Sequence, residues 1–171
     1  MKCFVISHSG GSPYHGPNMR WYYLGRSLKF HGVETVIISS SYFHKYFSPP
    51  KFEGNEKIEF IDGLRYFWLK TRHYRKRGYS QVLNQFDFVR KALRKNADLS
   101  KEQPDIVVAS SPHPLVFFPA WKLANKLKLG SFLKCEICGR LFFRSWDLCL
   151  LGILMLYYSK IRSELLFQSP I

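Results

Sequence analysis

Residues 2–31, KCFVISHSGGSPYHGPNMRWYYLGRSLKFH, constrain the fold more than any other stretch of this chain. Cys3, Phe4, Val5 and Ile6 form an uninterrupted apolar run. Such a run suits a strand buried on both faces in the middle of a parallel sheet. Gly10 and Gly11 follow, and glycine lets a backbone turn sharply or approach a ligand closely. From about Asn18 the spacing of Trp21, Leu24, Leu28 and Tyr22 predicts an amphipathic helix. A helix that starts after a glycine turn offers free N–H groups to an anion such as phosphate.

The same grammar recurs downstream. Val33 to Ser39 predicts a second apolar strand, linked through Gly32 as in a right-handed βαβ unit. Lys57 to Asp62 and Leu64 to Leu69 alternate around Asp62-Gly63, which is a hairpin turn signal. Tyr79 to Lys95 predicts a helix with Val82, Leu83, Phe86, Val89, Ala92 and Leu93 on one stripe. Pro104 to Ser110 predicts a third parallel-type strand, followed by Ser111-Pro112-His113-Pro114 at its carboxyl end, where open α/β sheets bind ligands. A helix over Leu115 to Lys128 and a strand start at Gly130 to Leu133 complete the pattern. The expected class is α/β: a Rossmann-like parallel sheet with flanking helices and an inserted β-hairpin. A chain of 171 residues holds one such domain, or is a piece of a larger protein.

A formal net charge of +14 asks for an anionic partner. The basic loop Lys70 to Gly78 concentrates Lys70, Arg72, Arg75, Lys76 and Arg77 between aromatic residues. A solvated loop is the plain reading. Peripheral contact with an anionic membrane surface is the sharper one. A non-enzymatic basic protein binding anionic membrane or nucleic acid is the alternative class. The sequence has no helix-turn-helix, RRM or zinc-finger signature, so no nucleic acid is expected. Cys135-x-x-Cys138 has only Cys149 downstream and no histidine after His113, too few ligands for a zinc site. No metal is therefore expected. Met1-Lys2 leads straight into a strand pattern, which predicts a cytoplasmic protein without a signal peptide. The apolar run Leu148 to Tyr158 falls short of the roughly 20 residues a spanning helix needs.

Three separated motifs agree in order and spacing: SHSGGSPYHGPNMRWYYLGRSLKFHGVETVIISSSYFH, IEFIDGLRYFWLKTRHY and PDIVVASSPHPLVFFPAWKLA. Together they resemble the N-terminal domain of family-four glycosyltransferases of the GT-B architecture, in particular N-acetylfucosaminyl transferase-like enzymes of cell-surface polysaccharide synthesis. The resemblance covers Met1 to about Leu133. It implies a retaining enzyme that transfers a sugar from a nucleotide-sugar to a lipid-linked or polysaccharide acceptor, with no required metal or resident cofactor. It also implies a location at the inner face of the plasma membrane. In that family the N-terminal half holds the acceptor and the C-terminal half the donor. Gly10 and Gly11 match the glycine loop beside the diphosphate, Arg20 an arginine of the first helix, and His113 the histidine of the S-x-H-P stretch. Each has a plainer role open to it: a tight turn, a surface arginine, a residue shaping the link between two prolines.

After Leu133 the family pattern E-V-R-D-x-W-P is missing, and the chain reads KCEICGRLFFRSWDLCLLGI. A back-translation with one added base reads EVRDLWPLILQELGSVSPWH across the same stretch. Residues 134–171 are accordingly read as a non-homologous tail produced by a frameshift. The expectation is a truncated acceptor-side domain, residues 1–133, that is inactive alone. An unfinished sheet would also leave an unpaired edge.

Overall fold

The computed structural model describes residues 1–74, 78–111, 113–129, 131–135 and 141–143, the last two segments as backbone. The strands are β1 (Lys2–Ile6), β2 (Glu34–Ser40), β3 (Glu56–Ile61), β4 (Leu64–Leu69), β5 (Ile106–Ser111), β6 (Ser131–Cys135) and β7 (Leu141–Phe143). The helices are α1 (Arg20–Phe30), α2 (Tyr79–Lys101) and α3 (Phe117–Lys126), with a 3-10 turn at Pro114–Val116. One mixed sheet orders the strands β3-β4-β2-β1-β5-β6-β7. The five inner strands run parallel, and β3 and β7 pair antiparallel at the two edges. This is an α/β fold whose arrangement is compatible with a Rossmann-like domain.

The apolar run behaves as its pattern dictates. Phe4, Val5 and Ile6 are fully buried, flanked by β2 on one side and β5 on the other. Alternation then sends side chains to two cores. Phe4, Ile6, Val36, Ile38, Val107 and Ala109 pack with Phe88, Val89 and Ala92 of α2 and with Ala120 and Leu123 of α3. Cys3, Val5 and Ile37 pack on the opposite face with Trp21 and Tyr22 of α1 and with Tyr66 and Trp68 of β4. The hairpin is not an appendage. β4 pairs parallel with β2, and Asp62 and Gly63 both take positive φ (50° and 79°), the geometry of a type I′ turn.

Five expectations need correction. Helix α1 starts at Arg20, because Asn18 has φ 70° and cannot be helical. Its buried residues are Trp21, Tyr22 and Gly25, while Leu24 is exposed. Gly25 replaces a bulky residue because a Cβ there would meet Leu64 at 3.1 Å, so the helix lies close on the sheet. Helix α2 runs to Lys101, and its buried stripe is rotated: Phe86 is 51% exposed, whereas Asn84, Phe88, Val89, Ala92, Asn96 and Leu99 are buried. The stripe turns because both asparagines have buried partners: His8 and the Arg72 carbonyl for Asn84, the Pro119 carbonyl for Asn96. The outer edge of β6 is not left open, since β7 pairs with it over Phe132, Leu133 and Lys134.

No described helix is long and apolar enough to cross a membrane. Arg75, Lys76, Arg77, Cys138 and the run Leu148 to Tyr158 lie outside the described residues.

Candidate functional site

The strand order creates one position of special interest. Chain connections leave β1 toward β2 on one side, while β5 adds on the other. At such a reversal the loops at the carboxyl ends of the two strands separate and open a crevice. The loop after β1 holds Ser7, His8, Ser9, Gly10, Gly11 and Ser12, and the loop after β5 holds His113. The two histidine rings meet across this junction with centroids 4.8 Å apart at 71°. Two of the sequence-designated elements, the glycine loop and His113, thus converge on one end of the sheet.

The glycine pair has a steric purpose. A Cβ on Gly11 would lie 2.1 Å from the Pro17 carbonyl oxygen and 2.5 Å from that of Gly16. A Cβ on Gly10 would sit 3.2 Å from Ile37 and 3.3 Å from Ser7. Neither glycine is among the residues with positive φ, so close packing, not a left-handed turn, requires them. Their carbonyls accept hydrogen bonds from two buried tyrosines, Tyr46 to Gly10 at 3.2 Å and Tyr66 to Gly11 at 3.0 Å. Burial pushes both phenols well above the usual tyrosine range, so both stay protonated donors. The Gly10 N–H donates back to the Ser7 carbonyl at 3.3 Å.

The rest of the loop is clasped by His15. Ser12 Oγ lies 2.8 Å from His15 Nδ1, and His15 Nε2 lies 3.4 Å from Glu59 Oε2 on β3. Burial lowers the His15 pKa, the nearby Glu59 carboxylate opposing and Lys57 adding to it. A serine, a histidine and a glutamate in line resemble a nucleophile, base and orienting acid. Ser12 is completely buried, however, and its Oγ also accepts the Tyr14 N–H at 3.3 Å. The trio is a loop clasp that ties β1's loop to the hairpin.

His8 sits on the loop after β1 at this junction. It is fully buried, with its Nε2 2.5 Å from Asn84 Oδ1. Asn84 Nδ2 donates to the Arg72 carbonyl, which fixes the amide orientation. Oδ1 must therefore accept, and His8 carries its proton on Nε2. Desolvation pushes the His8 pKa down to about 4, partly countered by the Asn84 bond and aided by His44. His8 is neutral at physiological pH. Phe88 and Phe43 box it in, at ring distances of 5.3 and 6.2 Å.

His113 is also buried, at the start of the 3-10 turn, where Pro114 occupies the first position. Arg20 is exposed at the first residue of α1. Lys70 and Arg72 are exposed on the loop after β4 at the same end of the sheet. Their backbone carbonyls accept from Lys91 and Asn84 of α2, which anchors that loop to the helix. His8, Asn84 and the His15 clasp escape sequence reasoning. A lone histidine after a strand carries no sign of its partner, and Asn84 is 76 residues away in the chain.

A scan against protein-family models finds no match to this chain, and neither does a search of curated proteins.

Proposed function

We propose that residues 1–133 are the acceptor-side domain of a retaining GT-B glycosyltransferase acting in cell-surface polysaccharide synthesis. The observation that supports it best is the convergence of the Gly10-Gly11 loop and His113 at the β1/β5 junction, the ligand position of an open α/β sheet. On this reading the crevice receives a lipid-linked diphosphate sugar or a growing polysaccharide end. The nucleotide-sugar donor is held by a second domain facing it. Transfer then depends on holding both substrates in reacting geometry and on positive groups that stabilise the departing nucleotide diphosphate.

The exposed Lys70 and Arg72 lie at the crevice end of the sheet and suit an anionic bilayer surface that presents the lipid-linked acceptor. Residues 134–171 derive, on this reading, from a shifted reading frame. On this reading the acceptor-side domain by itself binds the acceptor and does not transfer the sugar.

The test uses the full chain with a radiolabelled nucleotide-sugar and a short-chain lipid diphosphate sugar. The account expects binding of the lipid diphosphate sugar with neither transfer nor donor hydrolysis. Turnover by the chain alone, or no binding of the acceptor analogue, would refute it. The gene supplies an independent check: a long open frame after a single-base change near the Leu133 codon is expected.

A further inference from the structure

The His8–Asn84 pair is buried more completely than a ligand-contacting group needs, and its cost is real. A histidine and an asparagine inside an apolar core must satisfy each other or be penalised. Here they do so with the backbone of Arg72 as the third member. These three residues come from three separate elements: the loop after β1, the second turn of α2 and the loop after β4. One side of the His8 ring is held by this hydrogen bond and one by Phe88. Among the described ring contacts of His8, that with His113 is the shortest, at 4.8 Å between centroids.

We propose that Asn84 and His8 are positioning residues for His113: Asn84 fixes the orientation of the His8 ring, and that ring sets the placement of the His113 imidazole at the crevice. The inference rests on the glycosyl-transfer reading only in taking His113 as the group that faces the acceptor. The described hydrogen-bond and ring partners of His8 are Asn84 and Phe88 from α2, Phe43 from the loop after β2, and His113 from the loop after β5. His44 adds a weaker electrostatic influence. None of these is a carboxylate, so His113 sees an uncharged neighbour. The arrangement passes a fixed geometry from α2 to the crevice without passing charge.

Removal of the Asn84 amide tests this without depending on catalysis. In Asn84→Leu the His8 Nε2–H loses its acceptor, so the His8 ring is no longer held in one orientation. The His113 side-chain signal should then shift or broaden, because the two rings lie 4.8 Å apart. Histidine side-chain NMR on the full chain reads both rings. His8→Gln is the second variant, since it keeps an amide donor within reach of Asn84 and removes only the ring. It should leave the fold intact by near-UV circular dichroism while splitting or broadening the His113 signal. It should also weaken binding of a short-chain lipid diphosphate sugar about tenfold or more. An unchanged His113 signal in His8→Gln or in a folded Asn84→Leu would overturn the positioning role. If the parent chain binds no lipid diphosphate sugar, the glycosyl-transfer reading fails instead, and the NMR comparison still decides the positioning role.

Discussion

Acidification should destabilise this protein through His8, by an amount the structure lets one work out. The His8 pKa falls from an ordinary 6.5 to about 4 in the folded chain, chiefly by desolvation. Between those values the unfolded chain binds more protons than the folded one. Stability therefore rises with pH across that window, is fully present above about 6.5, and is lost as pH falls toward 4. A difference of this size corresponds to about 3 kcal/mol. Histidine 15 acts in the same direction, since its pKa is also lowered by burial. The perturbation that isolates His8 is His8→Gln, which keeps a polar side chain against Asn84 and removes the titration. Urea unfolding followed by tryptophan fluorescence, repeated from pH 7 down to about pH 4, measures the slope. The wild type should lose about 3 kcal/mol more than His8→Gln over that range. Parallel pH profiles for the two proteins would refute the assignment of His8 as a neutral buried group.

Gly11→Ala would place a methyl 2.1 Å from the Pro17 carbonyl and force the loop open, at a cost of about 3 kcal/mol in chemical denaturation. Gly32→Ala, by contrast, meets nothing within 4 Å and pays only for its positive φ of 72°, about 1 kcal/mol, so the ratio of the two losses checks the packing argument. Phe88→Ala removes a fully buried ring against His8 and should cost about 3–5 kcal/mol in the same assay. Replacing Lys70 and Arg72 together by glutamine should weaken binding to phosphatidylglycerol vesicles roughly tenfold or more, about 1 kcal/mol per charge, and leave binding to phosphatidylcholine vesicles unchanged.

What the sequence made legible follows its physics. The apolar runs at Phe4-Val5-Ile6 and Val36-Ile37-Ile38 announce buried parallel strands because every residue in them must be sheltered. Asp62-Gly63 announces a hairpin because two successive positive φ values demand those residue types. The stripe of α2 was less legible. A periodicity argument counts apolar residues, so it places Phe86 inward and passes over Asn84. The fold does the reverse, because the partners of Asn84 come from distant loops. The glycine pair was legible as a special position, but the close approach of Pro17, Gly16 and Ile37 that also requires it appears only in the folded loop. The meeting of His8 with His113 follows from β1 lying next to β5, a topological fact that no local window contains.

If the carboxyl edge of β1 and β5 receives the acceptor, ligand binding should register on the loops after those strands. Amide chemical-shift mapping of the full chain during titration with a short-chain lipid diphosphate sugar tests it most directly. Saturable shifts concentrated in residues 7–16 and 113–117, lost in His113→Ala, are expected. Shifts confined to the opposite edge around β3, or a response unaffected by His113→Ala, would contradict it.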